Sequence, residues 1–152
     1  MIRMSTQPLS SEEFRSIYSK VPRLCVDLII KMQGGVILTL RNLPDYYNMW
    51  HLPGGTVRYK ETIEHAVSRI AQEELNLSVK IVRTLGYMEF SNEEKERGFG
   101  WAVSIAVLCT SDLGEFTVGK GASEARVFIE LPNAMIPEQK AFLSSHWAEI
   151  VS

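Results

Sequence analysis

Cysteine is scarce in this chain: Cys25 and Cys109 are its only two in 152 residues. Both lie in apolar runs without C-x-x-C spacing, so no disulfide framework or thiolate metal centre is implied, and a reducing, cytoplasmic setting is expected. A charged start followed by a long apolar stretch is also lacking, so neither a signal peptide nor a membrane-spanning helix is expected. Nor is there an excess of basic charge. Sixteen Lys and Arg face 18 Asp and Glu, for a net charge of −2. Such a chain has no field to attract a nucleic-acid polymer or an acidic membrane. Repeats, low-complexity tracts and linkers are absent too. What is present is ordinary for a globular domain: 45% hydrophobic and 22% charged residues. Residues 1–152 therefore read as one domain, long enough to bury a core without covalent staples.

Met1–Leu9 reads as a poorly ordered start. Ser10 with Glu13 forms a capping-box signature, and Phe14, Ile17 and Tyr18 follow at helical spacing until Pro22. Arg23–Lys31 is rich in branched residues and predicts a buried strand. Gln33-Gly34-Gly35 turns the chain into a second strand, Val36–Arg41. Asn42–Met49 is a polar loop. The spacing predicts a helix over Glu61–Leu75, a strand over Val79–Phe90, and a charged turn over Ser91–Gly98. Phe99–Thr110 predicts a central strand and Arg126–Glu130 a short last one. A closing helix over Pro137–Val151 presents Phe142, Leu143, Trp147 and Ile150 on one face. Strands on either side of one helix, with another helix at the end, predict an α/β fold: a mixed sheet covered on both faces.

One helix carries an anomaly. At about 100° per residue, Ile63, Val67 and Ile70 of Glu61–Leu75 share a stripe, and Glu74 falls in the middle of it. A carboxylate on a buried face costs several kcal/mol, roughly, unless a cation compensates it. Glu74 therefore either meets a cation or emerges at a frayed, wet helix end. Arg69 and Glu73 form an i,i+4 pair at the edge of the stripe. Pro53-Gly54-Gly55 precedes the helix, and a glycine pair there can turn sharply and present a carbonyl to a ligand.

Gly55, Glu61, Arg69, Ala71, Glu73, Glu74 and Leu77 fall in register with the Nudix box, G-x5-E-x7-R-E-U-x-E-E-x-G-U, where U is aliphatic. Trp50-x-Leu52-Pro53-Gly54-Gly55 resembles the family's lead-in. Ser123-Glu124-Ala125-Arg126-x-Phe128 resembles its common late strand. The resemblance covers most of the chain and implies a Nudix-type α/β/α sandwich. Two positions depart from the box. Ile70 stands where a carboxylate is usual, and Asn76 replaces the second glycine, a mild change because Asn tolerates the left-handed conformation of a helix C-terminus. An aliphatic residue at the position of Ile70 is similar to the GDP-mannose mannosyl hydrolase subgroup. So are Val21-Pro22-x-x-x-Val26-Asp27-x-Ile29, Arg41 and the run Pro137–Leu143. In the loop where that subgroup places a His base, this chain has Ser123 and Glu124.

The resemblance implies a metal-dependent hydrolase of a nucleoside diphosphate derivative, a nucleotide sugar above all. The alternatives are a pyrophosphohydrolase cleaving P–O bonds and a catalytically weak nucleotide-binding domain. It implies Mg²⁺ or Mn²⁺ held by the Gly55 carbonyl and Glu74, with Glu73 as a further ligand. Arg69 orients the carboxylates with Glu61 as its partner, Gly54 shapes the loop, and Arg41 meets phosphate. Glu124 is a candidate base or extra ligand, and Asp27 a candidate substrate contact. His65 and His146 read as structural, whereas His51 lies close to the glycine loop. Tyr46 and Tyr47 could stack on a base or simply pack. A small-molecule nucleotide is the implied partner, and a homodimer is compatible with the subgroup.

Overall fold

The computed structural model describes residues 8–112 and 114–152. Of the expected poorly ordered start, Met1–Leu9, only Pro8 and Leu9 fall among them. Helix α1 (Ser11–Tyr18) opens on the expected capping box: the Glu13 N–H donates to Ser10 Oγ, and Ser10 N–H to the Glu13 carboxylate. Strands β1 (Arg23–Met32) and β2 (Gly35–Arg41) form the expected hairpin. Two short strands follow, β3 (Trp50–His51) and β4 (Gly54–Thr56), where only a lead-in loop was expected. Helix α2 (Ile63–Leu75) precedes β5 (Lys80–Glu89), a short helix α3 (Glu93–Arg97), β6 (Ala102–Thr110), β7 (Ala122–Phe128) and helix α4 (Pro137–Val151).

The strands make one seven-stranded sheet in the order β3-β2-β1-β6-β5, with β4 paired to β1 and β7 to β2. The β1–β6 pairing is parallel and the others are antiparallel, so the sheet is mixed. Strands β1 and β6 at its centre are largely buried on both faces, which explains why their sequences read as near-continuous apolar runs. Val26, Leu28 and Ile30 of β1 pack with Val67, Ile70 and Leu75 of α2 on one face. Cys25 and Ile29 share the other face with Leu143 and Ile150 of α4. Phe142 and Trp147 pack against that second cluster, as their spacing on α4 predicts. The result is the expected three-layer α/β/α sandwich. Among the described residues, no helix is long and apolar enough to cross a membrane.

Several boundaries differ from the sequence expectation, among them the start of β6 at Ala102 rather than Phe99. Helix α2 begins at Ile63 rather than Glu61, because Thr62 caps it by accepting the His65 N–H at 3.0 Å. Glu61 is left outside the helix and turns its carboxylate back onto Arg69. The charged segment Ser91–Gly98 contains the short helix α3, closed by Gly98 at φ +90°. Strand β7 starts at Ala122 rather than Arg126, because pairing with β2 extends back to Arg41 across a bulge. At the C-terminus of α2, Asn76 takes the left-handed conformation, φ 51°, that the missing glycine would have supplied.

Candidate active site

The clamp that fixes α2 against β4 is built on Glu61 and Arg69. The Glu61 side chain is fully shielded. Arg69 Nε donates to Glu61 Oε2 at 2.7 Å, and Arg69 Nη2 to Oε1 at 2.9 Å, a bidentate charge-assisted pair. Nη2 also reaches the Thr56 carbonyl of β4 at 3.0 Å, and Nη1 the Glu73 carboxylate at 3.0 Å. The Arg58 N–H and His65 add contacts to Glu61. Hydrogen bonding from Arg69 is the largest influence on Glu61 and holds its carboxyl down at about 2.

With the helix fixed in this way, Glu74 lies half-buried beneath the glycine loop, and the Gly54 N–H donates to its Oε2 at 3.3 Å. Among the described residues it forms no ion pair. Burial, reinforced by the charges of Asp27 and Glu73, pushes its carboxyl up to about 8 against the pull of the Gly54 N–H and Arg41. A desolvated carboxylate without a cation is a poor place to leave a charge, and either a proton or a metal ion would relieve it. Ile70 is buried one helical turn earlier, and a Cβ on Gly55 would touch its Cδ1 at 3.4 Å. The second carboxylate of the box is thus replaced by a side chain that belongs to the core. Glu73 is held by Arg69, with Arg58 3.7 Å away. Among the described residues, no three His, Cys, Asp or Glu side chains converge as a ready-made metal cage. A lone carboxylate of this kind fits a hard cation that keeps most of its waters.

Two clefts meet at this point, and Arg41, His51 and Gly54 line both. The outer one, about 580 Å³, also contains Glu73, Glu74 and Lys120. The Gly119-Lys120-Gly121 loop is seated on the end of α2, where the Gly119 N–H donates to the Glu74 carbonyl at 2.8 Å. A Cβ on Gly119 would collide with the Glu73 carbonyl, so this close approach requires glycine. Lys120 escaped the sequence analysis, although a lysine between two glycines before a strand was a usable signal. Arg41 is braced by Asp45, with Nε on the backbone carbonyl and Nη2 on Oδ2, each at 2.6 Å.

The inner cleft, about 300 Å³, runs between the sheet, α3 and α4. Asp27 is buried in it beside Gly54, where a Cβ would overlap the Asp27 carboxylate. Gln139 of α4 donates to Asp27 Oδ2 at 3.4 Å and accepts the Leu52 N–H at 2.8 Å, a link from α4 to the glycine loop that the sequence did not reveal. Burial raises the Asp27 carboxyl to about 7, against the opposing help of Ser104, Gln139 and Arg23. His51 is buried as well, its Nδ1 2.7 Å from the Leu52 carbonyl and its Nε2 3.1 Å from Thr39 Oγ1. The first contact assigns the proton to Nδ1, leaving Nε2 to accept from Thr39. Burial lowers its pKa to about 4, so the ring is a neutral brace with both nitrogens engaged. Glu124 does not join either cleft. The β7 register turns Ala125 and Val127 towards α2, which sends Glu124 to the opposite face, where it is exposed and paired with Arg126. His65 and His146 lie outside both clefts too.

The raised Asp27 carboxyl has a consequence for stability. Between about 4 and about 7 the folded chain retains a proton there that the unfolded chain has released, so stability falls as pH rises through that window. Asp27→Asn should flatten this fall by on the order of 4 kcal/mol at most. Denaturant unfolding at pH 5 and pH 8 measures it, and equal slopes in both proteins would refute the assignment.

The NUDIX domain family profile matches residues 21–144. The chain is 39% identical over 84 residues to the low-salt glycan biosynthesis protein Agl8 of Haloferax volcanii, covering 55% of this chain and 54% of that protein. It is 33% identical over 107 residues to an ADP-ribose pyrophosphatase of Methanocaldococcus jannaschii, covering 70% of this chain and 62% of that one. The matched stretch is thus less than two thirds of either relative. In structure it is similar to a MutT NUDIX hydrolase from Burkholderia pseudomallei, with a TM-score of 0.74 at 23% identity over 82% of this chain and 98% of that one. A UDP-X diphosphatase gives 0.67 at 19% identity over 93% and 73%. With the Nudix-box residues gathered around one glycine loop in the matching sandwich, the chain belongs to the NUDIX domain family.

Proposed function

We propose that this chain is a divalent-metal-dependent hydrolase of nucleoside diphosphate derivatives and that its substrate is a nucleotide sugar. The observation that carries the proposal is Glu74, a half-buried carboxylate without a cation partner among the described residues, facing a cleft that also holds Arg41 and Lys120. A diphosphate brings concentrated negative charge, and basic side chains positioned in advance stabilise it most as it departs. Arg41, held by Asp45, is assigned to the diphosphate, and Lys120 is assigned with it. Mg²⁺ or Mn²⁺ held by Glu74 and the Gly55 carbonyl would supply Lewis-acid charge to the same group. Glu73 is assigned to the clamp through Arg69, and Glu61 with Arg69 to orienting the helix end. Asp27 is assigned to substrate binding and, with a carboxyl near 7, can hold or release a proton at its Oδ atoms around neutral pH.

The choice of a nucleotide sugar is supported by Ile70, which removes the second carboxylate of the box, and by the likeness to a glycan biosynthesis protein. A pyrophosphohydrolase is the second reading, favoured by the likeness to an ADP-ribose pyrophosphatase. Hydrolysis in ¹⁸O-labelled water separates them. Label in the released sugar is expected, from cleavage at carbon. Label in the phosphate would return the protein to the pyrophosphohydrolases.

Lys120 provides an independent check. Lys120→Ala should lower kcat/KM for a nucleoside diphosphate sugar about tenfold or more, the scale of one lost charge-assisted contact to a charged transition state. Its melting temperature should stay put, because the side chain is exposed. Undiminished kcat/KM would remove Lys120 from the phosphate site.

A further inference from the structure

The inner cleft gathers buried polar atoms that none of the described residues satisfies. Among the described residues, Arg23 Nε, Tyr46 Oη and Glu93 Oε1 are shielded and have no hydrogen-bond partner, and all three residues line this one cleft. A buried polar group left unsatisfied is costly, so three on one wall mark a surface completed by something that enters. The backbone agrees. Tyr46 is held at φ +57°, a conformation uncommon for a bulky residue, with its N–H on Glu96 Oε1 at 3.3 Å. Gly100 passes so close to the Glu93 carboxylate that a Cβ there would stand 2.8 Å from Oε2.

The charges of the cleft are balanced. Arg23 pairs with Glu93 at 2.8 Å and Arg97 with Asp45 at 3.3 Å, while Arg41, also on Asp45, stands where the two clefts meet. A wall neutralised in this way does not select a phosphate; it suits an uncharged group rich in hydrogen-bond donors and acceptors. A nucleobase would also require an open aromatic face. Phe14 lies beneath the guanidinium groups of Arg23 and Arg97, at 5.3 and 5.6 Å, and Phe90 and Tyr46 are buried. The exposed aromatics Tyr47, Tyr59, Tyr87 and Trp101 stand outside this cleft.

We infer that the inner cleft is the glycosyl subsite, in which Tyr46 and the Arg23–Glu93 pair read the hydroxyls of an uncharged sugar whose diphosphate lies in the outer cleft. The inference rests on the nucleotide-sugar reading above, and the three residues shared by the two clefts make one span for such a molecule. Its edge is specificity. The sugar is read by hydrogen bonds, and the base is left to another surface.

Tyr46→Phe is the clean test, because the oxygen it removes has no partner among the described residues. Calorimetric titrations without metal, so that turnover does not interfere, compare GDP-mannose with GDP and UDP-glucose with UDP. Wild type should bind at least one sugar nucleotide more tightly than its parent diphosphate. Tyr46→Phe should weaken that sugar nucleotide about three- to tenfold, leave the diphosphate unchanged and melt at or above the wild-type temperature. Glu93→Gln, checked for folding by its melting curve, should lose the same discrimination. Equal losses for both ligands, no loss for either, or a wild type that does not distinguish sugar nucleotide from diphosphate would overturn the inference. A parallel assay with Mg²⁺ keeps the two claims apart. Failure of wild type to hydrolyse any nucleotide sugar counts against the proposed function, whereas hydrolysis with unaltered discrimination in Tyr46→Phe counts against the subsite alone.

Discussion

The buried pair of Glu61 and Arg69 is the contact on which the site depends. Glu61 is fully shielded, and Arg69 is shared between that carboxylate, the Thr56 carbonyl and Glu73. Strand β4 and helix α2 are therefore bolted together from opposite sides of one guanidinium. Removing one partner of such a pair strands a charge in a dry place, at about 3–5 kcal/mol. The Gly54-Gly55 loop begins β4, and Glu74 follows Arg69 by a little over one turn of α2. Their mutual position is inherited from this clamp. Arg69 acts on the chemistry through placement.

The two clefts divide the electrostatics between them. In the outer one, Glu74 has no cation and Lys120 forms no ion pair among the described residues, so both charges are open to a ligand and its metal. In the inner one, every Arg has a carboxylate, and the unmet demand is for hydrogen bonds. Asp27 and His51 stand near the junction, and burial keeps both close to their neutral forms, the acid by raising its pKa and the imidazole by lowering it. The junction thus holds Arg41 beside two groups that burial shifts towards neutrality, flanked by a charged compartment and a neutral, polar one. A molecule with a diphosphate at one end and an uncharged polyol at the other matches that order.

Much of this was legible in the sequence, because it is local. The stripe of Ile63, Val67, Ile70 and Glu74 follows from helical spacing, and Glu61, Arg69 and Gly55 are fixed by spacing within a single strand–loop–helix unit. The capping box at Ser10 and the left-handed Asn76 are likewise one-turn features. What escaped depends on contacts between distant segments. Gln139 reaches Asp27 from the last helix, Arg23 meets Glu93 across the inner cleft, and Lys120 is delivered by a loop whose seat on α2 requires Gly119. Glu124 lies outside both clefts for a related reason. The face a strand residue takes is set by register, and the β2–β7 register is shifted at a bulge beside Arg41, invisible in the sequence of β7 alone.

The central claim is that Glu74 is the carboxylate that holds the cation. Mn²⁺ binding followed by electron paramagnetic resonance tests it without reference to any substrate or turnover. Glu74→Gln should weaken Mn²⁺ at least about tenfold, because a neutral amide replaces the single uncompensated carboxylate. Glu73→Gln should weaken it far less, since that carboxylate is already committed to Arg69. Wild-type Mn²⁺ affinity in Glu74→Gln would contradict the account.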